Sequence, residues 1–443
     1  MSEIPSKPDI LPPVRTDVAY SFINLGTTIV WSIVDGWLLY FYLPPDGQGM
    51  ALVPVALYGM AVLSGRMLNA LFTPLIGYWS DHSRSRWGRR LPFIFVSSLP
   101  YLVFFVLLWL PPVKGESLGN LVYLAVILVL FNLAQSLVVI PFGSLLPELA
   151  RADRHRVRMT AWSASFQLIG VILAGLAGLL IEQRGFVFTM LIYALTILPL
   201  FYLPLLVLRE PPGRQIKAEE HFGFWRSIKI TLENRAFLVL TATGACFWTA
   251  TTFLMLVVPF IVTEVCGLTV ADTPYFYLPA VLASLACYPL VNWLAGRFGK
   301  WRVFASSLLA SAVILPLLML IGPWIPIPLM AQGITWMTLE AIAMSGVIML
   351  PQAFAAEITD YDETVTGQRR EGAYYSAWSL LDQMVNGLAG AVLPLLLLLG
   401  RSRTDDHGPL GVRLTGLIGG LLLFAAFLIF QRYPLKQFSR VSS

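Results

Sequence analysis

Apolar runs of about twenty residues, each long enough to cross a bilayer as a helix, follow one another along almost the whole chain, broken by short polar stretches. Twelve such runs are read over 17–43, 52–79, 91–111, 119–147, 159–181, 186–208, 236–264, 274–296, 302–322, 329–357, 372–400 and 412–431. A helix satisfies its own backbone hydrogen bonds, so it is the form such a run takes in lipid. The pattern predicts an all-α membrane protein with twelve transmembrane helices. The first eighteen residues, MSEIPSKPDILPPVRTDV, carry no charged-then-apolar-then-small signal pattern. The first span is therefore expected to act as its own insertion signal.

Basic residues fall into alternate interruptions. One face receives Arg84, Arg86, Arg89 and Arg90, then Arg151, Arg154, Arg156 and Arg158. It also receives Arg209, Arg214, Lys217, Arg226 and Lys229, then Arg297, Lys300 and Arg302, then Arg369 and Arg370. The other face receives few, such as Lys114, Arg184, Arg401 and Arg403. Short loops rich in Lys and Arg stay in the cytoplasm. An even number of spans then places both termini there, in a multi-pass protein of the plasma (inner) membrane.

The longest polar connection, 209–235, divides the chain into an N-terminal six-helix bundle over 1–208 and a C-terminal one over 236–443. Phe222, Phe224, Trp225, Ile228 and Ile230 set among charges suggest a short amphipathic helix within this linker; a plain connector is the other reading. The halves echo each other. Pro74-Leu75, Trp79 and a basic loop with Gly88 match Pro289-Leu290, Trp293 and a basic loop with Gly299. Pro141 to Glu148 followed by Ala161-Trp162 matches Pro351 to Glu357 followed by Ala377-Trp378. Such duplication suits a carrier whose halves rock about a central site.

Composition agrees. The 443 residues are 57% hydrophobic and 12% charged, about half the charged share of a soluble domain, and the mean hydropathy is +0.73. The net charge of +5 is accounted for by topology and implies no nucleic-acid partner. Cys246, Cys266 and Cys287 lack metal-ligand spacing, and His82, His155, His221 and His407 are read as loop residues. There is no GxxxxGK[ST] phosphate loop. An enzyme, a cofactor and a bound metal are not expected, and a monomer is the default.

Ionisable groups inside lipid are costly and each calls for a reason. Asp35, Glu340 and Asp382 are candidate proton sites, because burial favours the protonated form of a carboxyl. Arg66 is the candidate counter-charge; a static Asp35–Arg66 pair is the alternative. Polar and aromatic stripes mark candidate substrate ligands: Asn132 and Gln135; Trp248; Gln332 and Trp336; and Trp378, Gln383 and Asn386. Helix–helix hydrogen bonding is the competing explanation. Acids beside the basic loops suggest a cytoplasmic gate of Asp81, Arg86, Arg89, Arg90, Glu148, Asp360, Arg369 and Arg370, broken when that side opens.

GYWSDHSRSRWGRRLPF, ITDYDETVTGQRREGAYYSAW, IPFGSLLPELA and YSFINLGTTIVWSIVDGWLLYFYL together resemble the glycoside–pentoside–hexuronide:cation symporters, the melibiose-permease-like branch of the major facilitator superfamily. The resemblance covers both halves. It implies the major facilitator fold with two six-helix halves, and secondary transport. The family's acidic cation site falls here at Thr28, Asn69, Thr73 and Val139, a degenerate set without carboxylates. The galactoside-holding tryptophan and arginine fall at Gly143 and Ala164, and the lysine of span 11 at Gln383. Neither sodium coupling nor melibiose is expected. The reading is an alternating-access carrier of a sugar or glycoside with a proton. Carriage of an amphipathic or lipid-like solute, and uncoupled uniport, are the alternatives.

Overall fold

A computed structural model of the chain describes residues 14–45, 47–83, 85, 87–150, 153–210, 234–351, 353–355, 357–358, 371–399 and 410–434. Among these residues every long element is an α-helix, and twelve are present. They are α1 (Val14–Tyr42), α2 (Val55–His82), α3 (Leu91–Leu107), α4 (Leu118–Leu149), α5 (Asp153–Gly175) and α6 (Ala177–Val207). After the linker come α7 (Arg235–Phe260), α8 (Thr273–Phe298), α9 (Lys300–Ile314), α10 (Leu329–Met349), α11 (Glu371–Leu397) and α12 (Leu410–Phe430). Nine described helical segments are long and apolar enough to cross a membrane, while Leu91–Leu107 and Gln383–Leu397 are apolar but shorter. The proposed amphipathic helix in the linker lies outside the described residues.

Local chemistry explains where helices bend. The break expected between the fifth and sixth runs occurs inside α6, at Gly185 with φ 77 and ψ 169, a conformation that glycine adopts without steric cost. After α9 the chain tightens into a 3-10 turn, Leu315–Leu320. Pro316 causes it, because proline has no N–H for the next α-helical bond. Two of the histidines read as loop residues belong to helices instead: His82 ends α2, and His155 lies in the first turn of α5.

Within the first half α1 packs on α5 and α6, and α4 on α2 and α3; within the second, α7 packs on α12, α10 on α8 and α9, and α9 on α12. α1 is the most enclosed span, with 72% of its apolar window inside the protein against 11% for the segment containing α8.

The halves meet chiefly through α2 with α11, α1 with α7, α6 with the 3-10 turn Val270–Asp272, and α5 with α8. Small residues bring them together, as expected where lipid supplies no hydrophobic drive between helices. A methyl group at Gly59 would come within 2.5 Å of the Ala391 backbone, and one at Gly390 within 3.0 Å of Val62. Gly175 faces Tyr277 in the same way at 3.3 Å, and the Tyr40 and Phe260 rings meet at 5.1 Å. These contacts gather at the end away from the basic loops.

Candidate functional site

α1 carries Trp31 and Asp35 four residues apart, hence on one face, and α2 carries Tyr58, Val62 and Arg66 at the same spacing. The two faces converge on an open cavity between the halves, whose free space with the solvent at its mouth included is about 660 Å3. Arg66 donates from Nη2 to Asp35 Oδ1 at 3.1 Å, and the two side chains retain 22% and 17% exposure. This is the one hydrogen bond described for either charged group, so each keeps unused valence in the cavity wall. Asn132 and Gln135 of α4 line the same cavity with Thr252 of α7 and Asn386 of α11. Thr252 Oγ1 donates to Asn386 Oδ1 at 2.5 Å, and Asn132 Nδ2 to its own helix at Leu128 O at 2.7 Å. The polar surface thus comes from both halves, and the charge from the first half alone among the described lining residues.

The degenerate cation positions are not gathered into a cage. Asn69 Nδ2 donates to Gln383 Oε1 at 3.0 Å across the halves, and Ser136 Oγ donates to Asn69 Oδ1 at 2.7 Å. Thr73 Oγ1 donates back to Asn69 O at 2.9 Å. Thr28 packs against Gly170 of α5, and Val139 is 39% exposed and offers no oxygen. Gln383, read as a substrate ligand, is therefore a bridge between the halves below the cavity.

Other candidates move further. Gln332 and Trp336 are corrected: both hold the C-terminal bundle together and neither lines the cavity. Gln332 accepts from Gly322 N at 3.0 Å and donates to Gly322 O and Ile327 O at 3.0 and 2.7 Å, clamping the connection before α10. Trp336 Nε1 donates to Ile314 O at 3.0 Å, where α9 gives way to the 3-10 turn. Trp248 packs against the core, and it is Thr252, one turn on, that reaches the cavity. Glu340 is fully buried beside Ser311 of α9, with neither carboxyl oxygen in a hydrogen bond among the described residues. The side chains of Trp378 and Asp382 lie outside the described residues.

In the gate cluster, the side chains of Asp81 and Glu148, and Arg86, Asp360, Arg369 and Arg370 altogether, lie outside the described residues. Arg89 and Arg90 lead into the start of α3. With Leu91 they give their backbone N–H groups to the Glu210 carboxylate at 2.5, 2.7 and 2.7 Å, which caps the N-terminus of α3. The Arg90 guanidinium also donates to Ser144 O of α4. These bonds tie the start of α3 to the start of the linker and to α4, and Lys300 with Glu357, 2.5 Å apart, lies within the second half.

One polar cluster was not expected. Asp17 of α1 is fully buried and accepts from His155 Nε2 at 2.7 Å and Arg158 Nε at 2.5 Å, both on α5. Sequence reasoning placed His155 in a loop and so missed it. Among the described residues no group of three His, Cys, Asp or Glu is arranged to hold a metal.

A sequence model described as MFS/sugar transport protein matches residues 19–437. The chain belongs to that family. Its fold and multi-pass character follow from membership, and MFS transporters are not enzymes. An uncharacterised symporter of Synechocystis is 33% identical over 164 residues, a stretch covering 36% of this chain and 29% of that protein. A glucuronide carrier protein homologue of Escherichia coli is 25% identical over 96% of this chain and 94% of its own. The crystal structure of the nucleoside transporter NupG superposes with TM-score 0.63 over 95% of this chain and 100% of its own, at 16% identity. That likeness speaks for the fold. As an MFS chain, this protein carries its cavity where the two bundles meet, and Trp31 and Tyr58 are the lining residues that sequence reasoning overlooked. Their signal was present, since each lies on the helical face of a charged residue.

Proposed function

We propose that this MFS protein is a sugar or glycoside carrier that works by alternating access in symport with a proton. Asp35 binds the proton and Arg66 is its counter-charge. Asn132, Gln135 and Asn386 exchange hydrogen bonds with substrate hydroxyls, and Trp31 covers a CH face of the ring. The observation that carries this reading is the single-bonded Asp35–Arg66 pair in the wall of the cavity between the halves. A charge pair in a dry wall is stable when matched and costly when one member is neutralised alone. Protonation of Asp35 therefore releases Arg66 toward the cavity and biases the bundles between their two arrangements. The glucuronide carrier homologue supports a sugar-like solute.

The basic loops face the cytoplasm, the membrane is the plasma (inner) membrane, both termini are cytoplasmic, and the working unit is a monomer. Interhalf contacts gathered at the other end then correspond to a form closed to the outside. Sodium is not the coupling ion, because Asn69 and Thr73 spend their polar atoms on protein partners and supply no carboxylate.

The test is uptake of a panel of labelled sugars and methyl glycosides into proteoliposomes, with pH and sodium gradients imposed separately. Accumulation should follow the pH gradient and ignore sodium. Asp35→Asn should keep counterflow and lose accumulation. Accumulation by Asp35→Asn equal to the parent rejects the proton site, and absence of flux for every sugar rejects the substrate class.

A further inference from the structure

The connection between α7 and α8, residues 261–272, is ordered without being an α-helix. α7 loses one backbone bond at Pro259 and widens into a π-turn over Ile261–Val265, closed by Cys266 N on Ile261 O at 2.9 Å. Leu268 N then returns to Val262 O at 3.0 Å. The 3-10 turn Val270–Asp272 follows, and both the N–H and the hydroxyl of Thr269 donate to Asp272 Oδ2 at 3.0 Å. Thr273 Oγ1 donates to Val270 O at 2.7 Å. The second half holds the segment from behind. Cys266 Sγ donates to Leu329 O at 3.7 Å, and a methyl group at Gly333 of α10 would come within 2.5 Å of Phe276 and 3.0 Å of that sulfur. The turn thus carries its own capping box and its own anchor, and needs nothing from the first half to form.

What it meets on the first half is a glycine. Gly178 of α6 is buried, and a methyl group there would strike the Val270 carbonyl oxygen and lie 3.3 Å from the Trp37 ring. That indole packs edge-on against Tyr40 and Phe186, with ring centres 5.9 and 6.3 Å away, and Phe186 stacks on Trp109 at 5.6 Å. The seat is therefore a packed aromatic block. The contact is one of fit, since Val270 O accepts from Thr273 within its own half and no hydrogen bond from it to α6 is described. Close packing without a directed bond excludes water and still parts at small cost. Trp37 also lines a small chamber beside Asp35 and Ser32, apolar where Met255 and Tyr277 face it. The seat and the space next to the Asp35 carboxyl share this side chain.

We propose that Val270–Asp272 is a plug, prebuilt on the second half, that seats on Gly178 and Trp37 and seals the outer end of the pathway. Opening to the outside lifts it from the seat as one piece, and closure requires glycine at position 178. The proposal rests on the alternating-access reading, with the basic loops inside.

The experiment labels Leu39→Cys, a buried position in the cavity wall, with a membrane-impermeant maleimide. The full chain is used in right-side-out and inside-out vesicles, and the chain without the reporter is the blank for its three native cysteines. The parent should react chiefly from the cytoplasmic side. Gly178→Val should raise labelling from outside at least about fivefold, because an overpacked seat no longer closes. Asp272→Ala removes the capping box and should raise it about twofold. Gly296→Ala, at a glycine of α8 with nothing within 4 Å, should leave it unchanged. Val270→Gly trims the plug without adding bulk and should also raise outside labelling, which keeps the test open if Gly178→Val folds poorly. Outside labelling of Gly178→Val and Val270→Gly equal to the parent overturns the plug, and leaves alternating access standing where the reporter still reacts from inside. An equal rise in Gly296→Ala also overturns it, because the change is then not tied to the seat. A parent reporter that reacts equally from both sides overturns the plug and the alternating-access reading together.

Discussion

α1 carries two aspartates that do opposite things. Asp17 is sealed, and both of its carboxyl oxygens are taken by side chains of α5, His155 and Arg158. Asp35 stands in a cavity wall, with one oxygen bonded to Arg66 and the rest of both groups unspent among the described residues. A saturated buried pair behaves as a rivet, because any change of protonation strands a partner in low dielectric. A half-used pair beside a chamber has somewhere for a proton or a ligand to go. Glu340 is a third kind: fully buried, without a bonded partner among the described residues, and remote from the chamber inside the second half. Valence and access, and not depth in the membrane alone, separate a sealed carboxyl from one that faces a chamber.

The strongest test removes the rivet. Asp17→Ala should destabilise the protein by about 3–5 kcal/mol, since His155 and Arg158 lose their acceptor; thermal unfolding in detergent reads it. A change under about 1 kcal/mol would show that the cluster is not a clamp. Next, Gln332→Leu should cost about 2 kcal/mol by stranding the Gly322 and Ile327 groups, with affinity for methyl glycosides unchanged. An affinity loss would return Gln332 to the cavity. Asp35→Asn should lower proton-driven accumulation at least tenfold, about 1.4 kcal/mol of coupling, while Glu340→Gln stays within about twofold of the parent. The reverse pattern breaks the contrast between the two carboxyls. The smallest effect is expected at the bridge: Asn69→Ala removes the Gln383 and Ser136 bonds and should shift the balance between conformations by about 1 kcal/mol. Labelling of Leu39→Cys, a buried position in the cavity wall toward the closed side, measures that shift as increased reactivity.

The helices and the basic face could be read without coordinates, because lipid imposes length and hydropathy on each span separately, and the family from the resemblance of its motif segments. The same local logic located Asp35, Arg66, Asn132, Gln135 and Asn386, whose residue types are conspicuous in apolar surroundings. It erred where a polar residue had a choice of neighbours. The four-residue spacing of Gln332, Trp336 and Glu340 suggested a cavity stripe, yet that face turns into its own bundle and satisfies the connection before α10 and the end of α9. Arg90 bonds to α4, and Glu210, 120 residues away, caps the helix behind it, partners that the local pattern does not point to. Asp17 and His155 are 138 residues apart, and nothing local announces their contact. Sequence by itself determined which stretches suit lipid, what they carry and which loops are basic, since those depend on each stretch and its solvent. Which polar groups meet, which carboxyl is sealed and which wall stays apolar were decided by the tertiary structure, because a hydrogen bond depends on the position of a partner that chain order does not specify.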